Sequence, residues 1–369
     1  MKNTSPRKSK LGLREIAAAA GVSVATVSRV LNSSSRVAPE IKKSVLDAAA
    51  KLNIDFSRRN RTKTLVFILS NRAMLHAFHS RILIGAETYC AAQGWDMIFL
   101  SFSYSPHTPW KELHPPKIVQ RHDVVCAAIL AGTNSTNLLE LLVHKGIQFA
   151  VLGNNVIGAS QILDDSDVVY SDDTQGGYEI TRYLIQMGHR DVWFVGNTRL
   201  PWFARCFEGY RRAMNEAGLE QQQGSIDSED ETEIGYLGTK SILGRGRPVT
   251  AIFAGNDPTA HGVYKALRES RLRIPDDISV AGCNDTMGGF LYPGLTTIRE
   301  FPEQLGKRMV ELILNRIAKP GQSPQHVSIP TEFIKRDSCC PPALPQEASL
   351  EDAAQKVMLL NDPHASYLR

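Results

Sequence analysis

The chain has 369 residues, 43% of them hydrophobic, with 42 Lys plus Arg against 38 Asp plus Glu and a formal net charge of +4. At roughly 100–200 residues per domain this length allows two or three domains with a real buried core, which excludes a disulfide-stapled miniprotein and a disordered chain. No stretch approaches the roughly 20 apolar residues of a bilayer span, so no membrane association is expected, and the basic start MKNTSPRKSK leads into a stretch broken by Arg14, Glu15, Gly21 and Ser23 rather than into a signal-peptide core.

The charge is divided unevenly. Residues 1–63 carry 14 Lys/Arg and 4 Asp/Glu, a net of +10, which leaves 28 basic and 34 acidic residues, a net of −6, for the rest. A basic head on an acidic body predicts a polyanion partner for the head alone. The six cysteines (Cys90, Cys126, Cys206, Cys283, Cys339, Cys340) show no paired spacing, a usage that fits a reducing, cytoplasmic setting.

The head reads as three short helices. Leu13, Ile16, Ala17 and Ala20 form one apolar stripe that Gly21 stops. Ser23 caps a second helix with Val27, Val30 and Leu31 inward, leaving Val24, Ala25, Thr26, Ser28, Arg29 and Asn32 for its outer side and start. Pro39 opens a third, with Glu40 near its positive end and Ile41, Val45, Ala48, Ala49 and Leu52 as its buried side. Two helices joined by a tight turn in a basic surround form a helix-turn-helix, whose second helix fits the DNA major groove with its first turn toward the base edges. Arg29 has the fork that holds guanine O6 and N7, while Val24 and Ala25 offer only methyl or shape contacts. Arg14, Arg36, Lys42, Lys43 and the run from Arg58 and Arg59 to Lys63 are phosphate-type charges that set affinity and its salt dependence. The alternative is a solvated basic face on a small helical bundle.

After Lys63 the pattern becomes strand and helix in alternation. Apolar runs at Leu65–Leu69, Met97–Leu100, Val124–Leu130, Phe149–Leu152, Val168–Tyr170, Val192–Val195, Ala251–Phe253 and Ile278–Ala281 are separated by helical stretches such as Ile82–Gln93, Gly176–Met187 and Glu303–Ile317. Unbroken apolar strands alternating with helices predict parallel sheets covered on both faces, and the length predicts two such lobes in series. Ligands in such folds bind at the carboxyl ends of the strands, and the residues there include the amides Asn71, Asn154, Asn197, Asn256 and Asn284 and the carboxylates Asp172, Asp173, Asp257 and Asp285. Amide-rich strand ends suit a small polyhydroxylated ligand, although each is also an ordinary turn residue. Phe78 and Trp202 are either platforms for a sugar ring or core.

The string from Leu13 to Asn32, LREIAAAAGVSVATVSRVLN, resembles the headpiece of the lactose/galactose repressor (LacI/GalR) family of bacterial transcription regulators. The blocks Gly188–Gly196, Arg205-x-x-x-Gly209-Tyr210, Ala254–Asp257, Ile274–Gly282 and Leu295–Ile298 are similar to that family's effector domain, itself like a periplasmic sugar-binding protein. The resemblance implies that Val24, Ala25 and Arg29 contact bases. It further implies that Arg205, Asn256 and the position of Asn284, an aspartate in the family, hold the effector. Two features depart from the family pattern. Ala38 stands where a Ser or Thr usually caps the third helix, and residues 52–63 run almost directly into the next strand without the leucine-bearing hinge helix. Phe56 is there either a substitute wedge for the minor groove or a packing residue.

The expected architecture is therefore an all-α helix-turn-helix headpiece with a short linker (1–62) and an α/β two-lobed periplasmic-binding-protein-like effector domain (63–338). Lobe 1 is expected at about 64–168 and 297–325, lobe 2 at about 169–296 and 326–338, and residues 339–369 as a tail. No catalytic motif is present: no Gly-x-Ser-x-Gly, no phosphate-binding loop, and no dinucleotide fingerprint. His76 and His79 lack further ligands at metal spacing, and the pairs Asp164-Asp165, Asp172-Asp173 and Asp276-Asp277 read as turn and cap residues, so no cofactor or metal is expected. Residues 103–116 read as an irregular loop over the first lobe, and 350–360 as a short amphipathic stretch in a loose tail. The expectation is a homodimeric repressor on a double-stranded palindromic operator, controlled by a small sugar-like effector between the lobes. A purine-like corepressor, or a sugar sensor with weak DNA binding, stays open.

Overall fold

A computed structural model of the chain describes residues 8–31, 37–52, 63–73, 76–121, 124–158, 161–319 and 321–343. The head is built from α1 (Lys8–Ala19), α2 (Val24–Leu31) and α3 (Pro39–Lys51). Its core is the expected meeting of three stripes: Ile16, Val27 and Val45 are fully buried, closed in by Ala17, Val30, Ala48 and Ala49. Gly21 takes a positive φ of 66°, which turns the chain so that the Val22 N–H reaches the Ala17 carbonyl at 3.0 Å. Ile41 and Leu52, expected on the buried side of α3, are 38% and 41% exposed. They flank the stretch of α3 that packs on α1 and α2, so the periodicity is right but the partner surface is too short.

Lobe 1 starts with β1 (Thr64–Ser70), α4 (Ala77–Ala92), β2 (Asp96–Phe102), β3 (Ala127–Gly132), β4 (Asn134–Ser135), α5 (Thr136–His144), β5 (Gln148–Leu152), β6 (Val156–Ile157), α6 (Gln161–Asp164) and β7 (Asp167–Ser171). The chain then builds lobe 2 from α7 (Asp173–Gln186), β8 (Val192–Val195), α8 (Pro201–Glu216), β9 (Gln222–Gly224), α9 (Glu231–Gly244), β10 (Ala251–Ala254), α10 (Asp257–Glu269), β11 (Ser279–Asn284) and β12 (Thr296–Arg299). It returns to lobe 1 for α11 (Pro302–Ala318) and β13 (His326–Ile329), and crosses again for β14 (Glu332–Ile334). The two six-stranded sheets have the orders β13-β7-β5-β3-β1-β2 and β14-β12-β11-β10-β8-β9, parallel throughout except for the antiparallel β14 edge.

This topology moves the expected lobe boundaries. β7 through Ser171 and β13 pair with each other in lobe 1, whereas β12 pairs Thr296 with Ala281 in lobe 2. The crossings therefore fall just after Ser171, Arg299 and Ile329, because pairing partners, which the local pattern does not specify, decide a strand's lobe. Nor does a tail begin at 339. Cys339 is buried, and Cys340 donates its N–H to Ser279 Oγ (3.0 Å) while its carbonyl meets buried His189 Nε2 (2.9 Å), whose Nδ1 lies 3.0 Å from Thr250 Oγ1. The stretch 350–360 lies outside the described residues.

Covering helices meet through glycines. A Cβ on Gly209 of α8 would strike the backbone of Thr174 and Tyr178 on α7, and one on Gly177 would strike the Cys206 backbone. The pairs Gly85–Gly306 (α4 with α11) and Gly235–Gly262 (α9 with α10) repeat the arrangement. Residues 103–116 are irregular as expected but docked: Leu113 is buried, Trp110 lies against His144 with centroids 3.9 Å apart, and the Tyr104 hydroxyl accepts from Ser135 N at 3.0 Å. No helix among the described residues is long and apolar enough to cross a membrane.

Candidate DNA-reading helix and effector cleft

On α2, Val24, Ala25 and Arg29 all stand in solvent. The Ser23 hydroxyl accepts the Thr26 N–H at 3.0 Å and lies 2.8 Å from Thr26 Oγ1, so Thr26 is half-buried in the cap while its neighbours stay free. α3 starts at Ala38 without any side-chain cap. Of the other residues expected at DNA, the Ser28 side chain, Asn32, Arg58 and Arg59 lie outside the described residues, as do Phe56 and the linker.

Between the lobes, at the carboxyl ends of both sheets, lies a narrow pocket of about 40 Å³, which adjoins an outer compartment of about 550 Å³ through Arg72 and Trp202. Phe78 and Asn154 line it from lobe 1, and Trp202, Asn256 and Asn284 from lobe 2, which brings together five of the seven residues expected there. Asn71 belongs instead to the outer compartment with Tyr104, Thr133 and Asn134, where its Oδ1 accepts from Tyr104 N at 2.8 Å. Arg205, expected to hold the effector, does not line the pocket. Its Nε donates to Asp173 Oδ1 at 2.6 Å, and its guanidinium carbon lies 5.3 Å from the Tyr170 ring centroid. Arg205 is thus tied to the pocket-lining Asp173 at the edge of the site. Phe78 is both wall and core, only 8% exposed and packed edge-on to His79.

The charged residues missed from the sequence are Arg72, Glu231 and Glu300. Asp173, read as a turn residue, is buried and takes a second hydrogen bond from Asn154 Nδ2 (2.8 Å), while Asn154 Oδ1 accepts the Ser171 N–H (2.7 Å). Glu300, next to the second crossing, is also buried in the pocket wall. Burial pushes the Asp173 carboxyl up to about 6 against the pull of Arg205, and burial together with Asp173 pushes Glu300 up to about 8. Across the cleft, Arg72 and His76 of lobe 1 reach Glu231 at the start of α9 at 3.4 and 3.5 Å, and the Arg72 guanidinium lies 3.8 Å over the Trp202 ring. His79, beside His76 at 3.1 Å, is kept neutral well below its usual range by burial, reinforced by His76 and Arg72. No group of three metal-ligating side chains occurs among the described residues.

Backbone strain marks one wall. Asn284 and Asp285 adopt positive φ of 85° and 49°, uncommon for residues with a Cβ. Asp285 is pinned there by Arg299 Nε and Arg336 Nη1, each at 2.8 Å, and Asn284 Oδ1 accepts from the Thr286 hydroxyl at 2.9 Å. The strained pair holds the Asn284 amide at the pocket.

A helix-turn-helix head on a two-lobed α/β body with a polar cleft defines a DNA-binding regulator with a periplasmic-binding-protein-like sensor. Comparison with known proteins agrees: residues 12–54 match the model of bacterial regulatory proteins, lacI family, and 181–339 match a periplasmic binding protein-like domain. The HTH-type transcriptional repressor PurR of Histophilus somni (strain 2336) is 30% identical over 337 residues, spanning 88% of this chain and 98% of that protein. The ribose operon repressor of Haemophilus influenzae is 28% identical over 337 residues with the same coverage. Among solved structures, a complex of the transcriptional regulator CelR with cellobiose superposes with TM-score 0.66 at 25% identity, covering 88% of this chain and 99% of that one. A ribose-bound LacI family regulator from Enterococcus faecium gives 0.63 at 26%, covering 75% and 99%. The chain belongs to the LacI family and is a DNA-binding transcriptional repressor of that family.

Proposed function

We propose that the protein is a cytoplasmic homodimer that represses transcription from a palindromic operator and is controlled by a small sugar derivative held between its lobes. The observation that carries this reading is the cleft itself: the groups lining it come from both lobes and already meet across it, through Arg72, His76, Trp202 and Glu231. A ligand seated there changes the balance of cross-lobe contacts and hence lobe closure. Transmitted to the spacing of two heads, such a coupling is on the order of 1–3 kcal/mol. A sugar-type ligand is supported by the cellobiose and ribose bound to the structural neighbours. A purine-type corepressor is the second reading, favoured by the PurR relatives. The dimer is supported by Phe290 and Tyr292 on lobe 2, 90% and 91% exposed, with Ile84 on lobe 1 at 57%. Aromatic rings this exposed mark an association surface better than a monomer's finish.

Selection of DNA by the full chain from a random pool tests the reading. Two half-sites related by two-fold symmetry, about one helical turn apart, are expected. Substituting Phe290→Asp together with Tyr292→Asp is expected to give monomers by sedimentation and to lose tight operator binding. A single asymmetric half-site bound equally well by that variant would contradict the dimeric reading.

A further inference from the structure

The donor and acceptor inventory of the cleft is lopsided. Among the described residues, the oxygens of Asn256 and Asn284 already accept from Thr259 N (2.9 Å) and from Thr286. Asp173 holds Arg205 and Asn154, Glu231 holds Arg72, and Glu300 accepts from the Ser171 hydroxyl. Four donors remain unpaired. Asn256 Nδ2 and Asn284 Nδ2 have no partner among the described residues, and Arg72 Nε and Trp202 Nε1 are buried with none. Arg72 gives only Nη1 to Glu231, which leaves open the Nε–Nη2 edge, the two-pronged side that carboxylates and phosphates engage. Trp202, stacked on that guanidinium, adds a third donor beside it.

We propose that the cleft takes a small polyhydroxylated acid, a sugar carboxylate or sugar phosphate, with its oxyanion on the Arg72 Nε–Nη2 edge and Trp202 Nε1 and its hydroxyl oxygens on Asn256 and Asn284. The proposal rests on the effector reading above and names its ligand class. A neutral sugar brings a donor with every acceptor, whereas the buried Arg72 Nε and Trp202 Nε1 call for acceptors alone. An oxyanion brings acceptors only. Burial, which holds Glu300 protonated to about pH 8, removes one negative charge that would otherwise oppose it.

Calorimetric titration of the full chain at pH 7 with glucose, gluconate and glucose 6-phosphate, and with ribose, ribose 5-phosphate and hypoxanthine, tests this. An acid is expected to bind at least about tenfold tighter than its neutral parent, the carboxylate and phosphate arms showing which oxyanion fits. Arg72→Gln is expected to erase that preference. Should that variant fail to fold, Trp202→Phe keeps an aromatic ring and is expected to weaken the acid severalfold more than its neutral parent sugar. A neutral sugar bound as tightly as its acid, hypoxanthine bound alone, or no acid bound at all overturns the proposal. Following an operator fragment in the same samples separates the two readings: neutral sugar or hypoxanthine that shifts operator affinity leaves the effector reading standing without this ligand class. Acid binding that leaves operator affinity unchanged keeps the ligand class and removes the control of repression.

Discussion

On α2 the side chains offered to a partner, Val24, Ala25 and Arg29, are exposed and lie on one short helix. In the cleft the corresponding groups are buried, paired with one another and drawn from strand ends scattered between Arg72 and Glu300. The head can meet DNA as it stands, because base and phosphate contacts replace only water. On the reading proposed above, a ligand in the cleft acts beside contacts already made across it, such as Arg72 with Glu231, and alters lobe closure by shifting their balance. A sensor built of prepaired charges and a reader built of free ones suit their opposite tasks.

The contrast can be broken most severely at Asp285. Asp285→Ala leaves Arg299 and Arg336 facing each other without their buried acid and releases the strained Asn284–Asp285 turn. Arg299 is 39% exposed and keeps Glu332, so the loss is about 1.5–3 kcal/mol rather than that of a fully buried pair. Denaturant unfolding followed by the buried Trp193 is expected to show that loss, with cleft ligands weakened.

A smaller effect sharpens the cleft side. Glu300 has its folded value raised to about 8 from an ordinary 4.5, so the fold favours the protonated acid. Its contribution to stability is full below pH 4.5 and is lost as pH climbs toward 8. Glu300→Gln removes that loss, so melting temperatures at pH 5 and pH 8 are expected to show the variant gaining on the parent as pH rises. The smallest effect belongs to the head. Ala38→Ser supplies the missing cap of α3 and is expected to stabilise the head by about 1 kcal/mol, read from amide exchange of α1–α3.

The same contrast governs what could be read without coordinates. The head was legible because its information is local: the Ile16 stripe, the Ser23 cap and Gly21 lie within a few residues of one another. The sheets were legible as apolar runs, and Asn154, Asn256 and Asn284 as strand ends. Arg72, Glu231 and Glu300 were not, since a charge beside a strand or at a helix start looks like a solvated surface until two lobes are brought face to face. A signal for two of them existed: Arg72 lies two residues after β1 and Glu300 immediately after β12, both at carboxyl ends. The pairing of Arg205 with Asp173 was not legible either, because it joins residues more than thirty positions apart in the chain. The exchange of β12 and β13 between lobes had no local signature at all.

The central claim is that sequence reading resides on the free face of α2 and the affinity common to all DNA in the basic surround. The most direct measurement is the binding of Arg29→Ala and Arg58→Ala chains to operator and to unrelated DNA over a range of salt. Arg29→Ala is expected to lose about 1–3 kcal/mol on the operator and little on unrelated DNA, collapsing the discrimination, while Arg58→Ala weakens both alike and lowers the salt slope. Equal loss on operator and unrelated DNA for Arg29→Ala would contradict the account.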